Sequence, residues 1–263
     1  MRWRAGRAAR DDGQRDEGPR VEAVLDQLGP WYHRIQLGNG LVTPGTRDQS
    51  LVFELYADHL PDDLTDVTVL DLGANAAGLS VEFARRGARV VAVELGVRYL
   101  EQAAFVLERL GLTDRVELRR MDVYRTIELR RRFDIVCYVG LSYHLRYPQL
   151  ALDLLSGLCE HRLLVSSQTI PGNELRMLNR AARLPNRNVG ELHGWEPTEQ
   201  LFLDMVAHAG FRSPRLVSTA PHAGETAERI CGNRSYFVAD AASTPHVLPF
   251  IDAGFVGKPE QRQ

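Results

Sequence analysis

The sequence predicts an α/β fold whose centre is a Rossmann-like, mostly parallel sheet of seven strands. Short runs that are largely apolar, such as 67–72 and 89–94, alternate with longer segments in which apolar residues recur at helical spacing. Strands of this kind are typical of a parallel sheet that helices cover on both faces. The connection between the last two strands, 215–219 and 235–239, is too short for a crossover helix, so a terminal antiparallel hairpin is expected.

An N-terminal helical cap is predicted over residues 21–63. Apolar residues at helical spacing predict helices at 21–28 and 46–59. The intervening segment 31–45 is rich in aromatic residues, glycine and proline, which favours loops.

Three residues of this loop segment are candidate substrate-binding residues: Trp31, Tyr32 and His33. Loops that precede a sheet often close over its ligand, so the segment is a candidate lid. In the alternative interpretation, Trp31 and Tyr32 only plug the edge of the sheet. The sequence leaves both interpretations open.

The sheet domain is predicted over residues 64–241. Its predicted elements are strand 67–72, helix 76–86, strand 89–94, helix 97–110, strand 116–121, helical stretch 124–132, strand 133–139, helix 148–158, strand 162–166, helix 198–209 and the two hairpin strands. Residues 169–195 interrupt this alternation with prolines, asparagines and a helical patch at 174–182. They predict an insertion at the edge where such sheets bind ligands.

The composition is that of an ordinary globular protein. Of the 263 residues, 44% are hydrophobic and 25% are charged, and the net charge is -2. This length is sufficient for one substantial core. A net charge close to zero gives no general attraction for a polyanion, so nucleic acid is not expected as a partner.

The compartment predicted from the sequence is the cytoplasm. The three cysteines are far apart, which favours neither a disulfide framework nor a structural zinc site. No apolar run approaches the roughly 18 residues that cross a bilayer, so no membrane association is expected. Residues 1–20 mix arginines with acids and predict a flexible leader rather than a secretory signal, and residues 242–263 are expected to be an unstructured tail.

A glycine-bearing turn, 73–78, follows the first strand of the sheet, and Glu94 ends the second strand. Such a unit binds adenosine-containing cofactors, with the acid accepting hydrogen bonds from the ribose. Asn75 stands where the second glycine of GxGxxG admits a pyrophosphate, which favours a cofactor without phosphate. S-adenosylmethionine is such a cofactor, and Asp71, Gly73 and Asn75 are predicted to form the wall of its site.

The other predicted cofactor residues also follow strands. Asp122 comes after the third strand, where it can meet the amine of adenine, and Val123 offers a backbone amide to the ring. Leu95 and Gly140 follow the second and fourth strands. Arg47, in the cap, is predicted to hold the carboxylate of the cofactor or an acidic substrate.

These segments resemble the class I S-adenosylmethionine-dependent methyltransferases. The resemblance rests on the ordered set 69–75, 91–94, 121–123 and 133–136. It implies that Asp71, Gly73 and Asn75 hold the methionine end of the cofactor. It also implies that Glu94 holds the ribose, and that Asp122 and Val123 hold the adenine.

Within this family, segments 140–144, 168–174 and 186–189 resemble the branch that includes the bacterial tRNA wobble-uridine carboxymethyltransferase. The resemblance implies a carboxylated cofactor and a tRNA substrate. The chain departs from that branch at Leu145, where a basic residue is expected, and in the glycine turn at Asn75 and Ala77.

Candidate catalytic residues are His144, His193 and Tyr143. His144 follows the fourth strand, and the ordinary pKa of histidine, near 6.5, suits a general base. His193 lies in the insertion, and Trp195 beside it is a candidate apolar or cation–π wall for the substrate. The alternative is that these residues only pack the loops. Glu191, His193 and His144 could share a metal, but no spacing requires one, and no metal is predicted.

The sequence therefore predicts an enzyme, a cytoplasmic S-adenosylmethionine-dependent methyltransferase acting on a small molecule. An oxygen nucleophile in natural product biosynthesis is the favoured acceptor. A tRNA-modifying methyl- or carboxymethyltransferase and a non-catalytic adenosyl-binding protein are the alternatives. The basic region of Arg119, Arg120, Arg125 and 130–132 is expected to be a solvated face. The oligomeric state stays open, with a homodimer as one option.

Overall fold

The computed structural model describes residues 17–179, 194–221 and 233–241. Most of the predicted leader, the whole predicted tail and the middle of the predicted insertion lie outside these ranges. The predicted catalytic residue His193 and its neighbour Glu191 are therefore outside the described residues.

The N-terminal cap contains two helices and two small strand pairs. Its elements are α1 (Glu17–Leu28), β1 (His33–Arg34), β2 (Gln36–Gly38), β3 (Leu41–Val42), β4 (Arg47–Asp48) and α2 (Gln49–Glu54). β1 pairs in parallel with β4, and β2 pairs antiparallel with β3. The predicted helix 46–59 is shorter in the structure. The Asp48 carboxylate accepts a hydrogen bond from the Ser50 backbone N–H and so starts α2 at Gln49.

Nine further strands follow in the described residues. They are β5 (Thr68–Leu72), β6 (Arg89–Glu94), β7 (Val116–Arg120), β8 (Phe133–Val139), β9 (Cys159–Thr169), β10 (Met177–Asn179), β11 (Trp195–Pro197), β12 (Arg212–Pro221) and β13 (Asn233–Asp240). The intervening helices are α3 (Gly78–Arg85), α4 (Val97–Leu110), α5 (Pro148–Ser156) and α6 (Glu199–His208).

Seven of these strands form one sheet in the order β12-β13-β9-β8-β5-β6-β7. The pairs from β9 through β8, β5 and β6 to β7 are parallel, whereas β13 runs antiparallel to both β9 and β12. The predicted Rossmann-like, mostly parallel sheet with a terminal antiparallel hairpin is confirmed. Because five neighbouring strands are parallel, their carboxyl ends meet at one edge of the sheet.

Two hydrophobic clusters cover the two faces of the sheet. Alternate residues of one strand enter different clusters, as Val69 and Leu70 do, because successive side chains point to opposite faces. Buried side chains of α1 and α2 join the cluster on the face that α3 and α4 also cover. The cap therefore shares the main core on this face. None of the described helices combines the length and the apolar character that a membrane crossing requires.

The predicted helical patch at 174–182 is wrong where the structure describes a strand. β10 pairs antiparallel with β11, with Met177 opposite Pro197 and Asn179 opposite Trp195. The Thr198 backbone N–H also donates to the Arg176 carbonyl, at 2.9 Å. These long-range backbone hydrogen bonds favour an extended chain over a local helix.

Candidate active site

A cavity of about 590 Å³ opens at the carboxyl ends of the parallel strands. This volume lies in the range of about 300–1,000 Å³ that is usual for small-molecule sites. The predicted site residues along its wall are Tyr32, His33, Arg47, Asp71, Gly73, Asn75, Glu94, Leu95, Asp122, Val123, Gly140, Tyr143 and His144. The fold thus brings together most of the residues that the sequence analysis selected.

Three residues of the glycine turn have a left-handed backbone conformation. Gly73, Asn75 and Ala77 have φ values of 65°, 52° and 59°. Glycine adopts such left-handed values freely, and asparagine tolerates them better than most other residues. The Gly73 and Ala74 backbone N–H groups both donate to the Val93 carbonyl, at 2.8 and 3.1 Å. The end of β6 therefore fixes the turn that follows β5.

Glu94 connects this turn with the loop after β6. One carboxylate oxygen accepts a hydrogen bond from the Asn75 backbone N–H at 2.9 Å, and the other accepts from the Leu95 and Gly96 backbone N–H groups at 2.8 Å. These contacts orient the carboxylate, and each oxygen can accept more than one hydrogen bond. Glu94 therefore has a fixed orientation and residual acceptor capacity at the cavity wall.

Asp71 is buried beneath the turn. Its carboxylate accepts a hydrogen bond from the Ser80 hydroxyl at 2.6 Å. Burial raises the pKa of Asp71 to about 6, the Ser80 hydrogen bond opposes this rise, and the Glu94 charge adds to it. A cationic ligand group beside Asp71 would favour the ionised carboxylate.

The Asp122 end of the cavity has apolar and aromatic walls. Asp122 caps the 3₁₀ helix Val123–Leu129 by accepting from the Tyr124 backbone N–H at 2.9 Å. Met121, next to Asp122 in the chain, and Leu95 and Tyr99, which follow the neighbouring strand β6, also line the cavity. A carboxylate flanked by flat apolar walls is suited to a planar heterocycle that carries an amine.

Tyr143 and His144 form a short 3₁₀ helix, Ser142–His144, after β8. Tyr143 is buried, whereas His144 is exposed and lines the cavity, and their ring centroids are 4.4 Å apart. The backbone at Gly194 presses against this helix, because a Cβ there would stand 1.5 Å from the Tyr143 carbonyl oxygen. The predicted catalytic role of His144 stays a prediction.

His33 is buried where the cap meets α3. Its Nδ1 accepts a hydrogen bond from the Gly78 backbone N–H at 3.3 Å. Burial, followed by the charges of Arg47 and Arg234, lowers the pKa of His33 to about 3. The ring is therefore neutral at physiological pH, and it joins the cap to the N-terminus of α3.

Two cavity residues that the sequence analysis missed are Arg234 and Tyr236, both on β13. Arg234 is 6% exposed, and its guanidinium donates to the Tyr143 hydroxyl. The Arg47 guanidinium donates to the Tyr236 hydroxyl. A charged residue directly before the apolar strand 235–239 is the one signal in the sequence that could have drawn attention to Arg234.

Two predicted substrate residues, Trp31 and Trp195, do not line this cavity, and their role in substrate binding stays a prediction. Trp31 packs edge-on against Phe105, with ring centroids 6.5 Å apart, and its indole N–H donates to the Leu25 carbonyl at 2.8 Å. The Trp195 indole donates to the Arg146 carbonyl at 3.1 Å, and its strand pairs with β10. Hydrogen bonding and packing hold both indoles away from the cavity wall.

Most of the basic region is engaged in ion pairs. Arg119 and Arg131 pair with Glu117, Arg125 pairs with Glu128, and Arg132 approaches Glu160. This pairing supports the interpretation as a solvated face. Within the described residues, potential metal ligands cluster at Asp134, Glu160 and His161, at the amino ends of β8 and β9 and thus at the opposite edge from the cavity.

The central part of the sheet domain matches a known family of sequences. Residues 69–160 match the family model described as "Methyltransferase domain". The match covers the glycine turn, Glu94, Asp122 and the strand before Tyr143. Over these residues the match agrees with the predicted class of methyltransferase, whereas it does not support the tRNA wobble-uridine branch.

Among curated proteins, the chain is similar to the release factor glutamine methyltransferase of Rhodopirellula baltica. The two are 28% identical over 144 residues, which cover 51% of this chain and 48% of that protein. The chain thus spans about half the length of the curated relative that it matches.

Solved structures with the same fold include the N-terminal domain of EvdMO1 with SAH bound. The TM-score is 0.62 at 20% identity, over 85% of this chain and 96% of that domain. Magnesium protoporphyrin IX methyltransferase from Synechocystis PCC 6803 with bound SAM has a TM-score of 0.51 at 16% identity, over 90% of this chain and 87% of that one. At these identities the similarity shows the fold.

Proposed function

We propose that this protein transfers a methyl group from S-adenosylmethionine to a small molecule. The observation that carries the proposal is that the oriented Glu94 carboxylate, the glycine turn and Asp71 all line the same cavity. The structural relatives were crystallised with SAH or SAM, which supports the choice of cofactor.

In this proposal the cofactor lies across the carboxyl ends of the strands. Asp122 and Val123 bind the adenine, and Glu94 accepts hydrogen bonds from the ribose hydroxyls. Asp71 lies next to the ammonium of the methionine part, whose positive charge offsets the cost of an ionised, buried carboxylate. Gly73 and Asn75 allow the backbone to approach the ligand closely.

S-adenosylmethionine supplies an electrophilic methyl group on a sulfonium, and the protein must align the acceptor with it. Alignment of two bound reactants can lower the activation barrier by about 7–11 kcal/mol. An acceptor with an ionisable hydroxyl would also need a general base, which raises the rate by about 10²–10⁴-fold. His144, exposed at the cavity wall, is the proposed base for such an oxygen acceptor.

The pairing of the basic region favours a small acceptor over RNA. The arginines that could form a phosphate-binding face are largely paired with glutamates. The EvdMO1 domain was also crystallised in the presence of SAH and D-fucose, a small polar molecule. Retention on tRNA that weakens steeply with salt would instead favour the tRNA-modifying alternative.

Calorimetric titration of the full chain with SAH tests the cofactor part of the proposal. We expect the wild-type protein to bind SAH, and Glu94→Gln to bind at least about tenfold more weakly, since loss of a charged hydrogen bond costs about 1.5–3 kcal/mol. Glu101→Gln, on the exposed side of α4, is the matched control and should bind as the wild type does. Equal SAH affinity in Glu94→Gln would contradict the proposed ribose contact.

Methyl transfer is then measured as SAH formation from S-adenosylmethionine with a panel of hydroxylated small molecules. His144→Ala should lower turnover at least about tenfold without changing SAH affinity. SAH binding without turnover on any acceptor would favour the non-catalytic alternative.

A further inference from the structure

We propose that Arg47 and Arg234 bind a carboxylate carried by the acceptor. This inference rests on the proposed function and specifies the class of its substrate. The two arginines come from separate parts of the chain, β4 of the cap and β13 of the sheet, and both line the cavity.

Tyrosine side chains hold both guanidiniums in place. Arg47 donates to the Tyr236 hydroxyl, and Arg234 donates to the Tyr143 hydroxyl. The guanidinium carbon of Arg234 lies 5.2 Å from the centroid of the Tyr143 ring. These contacts orient the two cations but leave their charges in place, because a tyrosine hydroxyl is neutral at physiological pH.

Arg234 is buried and Arg47 is half-buried. Arginines removed from solvent are usually paired with acids. In the described part of the chain, no ion pair links either arginine to a carboxylate, and the Nε atoms of both are buried without a hydrogen-bond partner. The three acids that the described residues contribute to the same cavity are engaged elsewhere: Asp71 with Ser80, Glu94 with three backbone N–H groups, and Asp122 with the Tyr124 backbone N–H. Among the described residues, no acid therefore neutralises either guanidinium.

A planar carboxylate matches the planar, forked arrangement of guanidinium donors. It would also offset the repulsion between two guanidiniums and the sulfonium of the cofactor in one cavity. An acceptor carboxylate should therefore favour binding of S-adenosylmethionine more than binding of SAH, which lacks the sulfonium charge. Coupling of this kind is reciprocal.

The position of Arg234 favours the acceptor as the source of the carboxylate. Arg234 lies over the residue that follows β8, since a Cβ on Gly140 would be 3.6 Å from its Nη1. The methionine part of the cofactor is proposed to lie at Asp71 and Gly73, which belong to β5 and the turn after it. Tyr32 at 41% exposure and His144 leave this side of the cavity accessible from solvent.

The test is calorimetric titration of the full chain with S-adenosylmethionine or SAH, with benzoate or acetate added as the carboxylate probe. Benzamide and acetamide serve as neutral counterparts at the same ionic strength. We expect the carboxylates to raise the affinity for S-adenosylmethionine about fivefold or more, with a smaller effect on SAH. The amides should have no such effect.

Arg47→Gln and Arg234→Gln should lose the carboxylate effect while keeping the wild-type affinity for SAH. The matched control is Arg215→Gln, an exposed arginine of β12, which should keep the effect. Thermal unfolding of each ligand-free variant separates a binding role from a structural one. Arg234→Gln should unfold at the wild-type temperature or above it, because it removes an unneutralised buried charge.

Several results would overturn the proposal. One is a carboxylate effect that is absent or equal to that of the amides. A second is weakened SAH binding in Arg234→Gln, which would place the methionine carboxylate at this arginine. A third is a wild-type protein that binds carboxy-S-adenosylmethionine more tightly than S-adenosylmethionine, together with an Arg234→Gln variant that has lost this preference. This result would place the carboxylate on the donor. Failure of the wild-type chain to bind SAH would instead reject the proposed function, and direct titration with benzoate would still measure the anion site.

Discussion

Replacing Asp71 by asparagine should stabilise the ligand-free protein at neutral pH. The Asp71 carboxylate is buried and accepts a hydrogen bond from the Ser80 hydroxyl at 2.6 Å. Burial raises its pKa from 3.8 to about 6, against the effect of Ser80 and with a contribution from Glu94. An acid whose pKa is raised in the folded state binds protons more tightly there than in the unfolded chain. It therefore lowers the stability as the pH rises from 3.8 through about 6.

The size of the effect follows from the two pKa values. The difference corresponds to about 3 kcal/mol, at about 1.4 kcal/mol for each pKa unit. Asparagine carries no charge, and its amide oxygen can still accept the Ser80 hydrogen bond, but its amide N–H groups must find partners at a cost of about 1 kcal/mol or more. We therefore expect Asp71→Asn to gain about 1–2 kcal/mol at pH 7, or an increase in Tm of roughly 2–8 °C. The gain should disappear well below the unfolded pKa of 3.8.

Thermal unfolding followed by circular dichroism, from acid to neutral pH, measures this difference. Asp204→Asn is the matched control, because Asp204 is exposed and also accepts a side-chain hydrogen bond, from Gln200 at 3.0 Å. It should change little at any pH. A lower Tm for Asp71→Asn than for the wild type at neutral pH would show that the buried carboxylate does not destabilise the ligand-free protein. Saturating SAH should also raise the Tm of the wild type more than that of Asp71→Asn, since the ligand's ammonium favours the ionised carboxylate.

Three further changes test other parts of the account. His33→Gln should reduce the loss of folding stability in acid, which can be checked by measuring unfolding as a function of pH. The pKa of His33 is lowered from 6.5 to about 3, so the neutral ring contributes its full stability above pH 6.5, and this contribution is lost as the pH falls below 6.5. Gly194→Ala should destabilise the protein by about 1–3 kcal/mol and lower kcat, since its Cβ would collide with the Tyr143 carbonyl oxygen. The control is Gly18→Ala, where a Cβ meets nothing within 4 Å, and it should leave kcat unchanged. Trp31→Phe should lower the free energy of unfolding by about 1 kcal/mol, because it removes the hydrogen bond to Leu25, and should keep the SAH affinity measured by calorimetry. Weaker SAH binding in this variant would show that Trp31 contributes to the ligand site.

The sheet and the cofactor side of the cavity could be predicted from the sequence because their signals are local. The strands 89–94 and 133–139 and the helix 97–110 have the predicted bounds, since each is one apolar or amphipathic run with clear ends. Glu94 and Asp122 stand at or just after the ends of parallel strands. The topology of such a sheet brings these ends to one edge without further information.

The acceptor side could not be predicted in the same way, because it depends on contacts between distant segments. Arg234 reaches the cavity only because β13 pairs antiparallel with β9, which sets Arg234 opposite Gln168. The aromatic residues of the loops were ambiguous for a related reason. Trp31 and Tyr32 are neighbours in sequence, yet Trp31 packs on α4 while Tyr32 lines the cavity, and only the path of the folded chain distinguishes them.

The extended segment at 177–179 is also determined by contacts with distant parts of the chain, which its own sequence does not reveal. Its composition favours a helix, but backbone hydrogen bonds to β11 and Thr198 hold it extended. Such pairings form between segments that lie far apart in the chain, and intrinsic propensity is too weak to oppose them. The fold was therefore more predictable than the walls of its cavity.

The binding mode of the cofactor is best tested by a crystal structure of the full chain with SAH bound. We expect the ribose hydroxyls to lie within hydrogen-bond distance of the Glu94 carboxylate and the adenine to lie beside Asp122. We also expect the sulfur to face the space bounded by Tyr143 and Arg234. An adenosyl group bound outside this cavity, or one whose ribose makes no contact with Glu94, would contradict this binding mode.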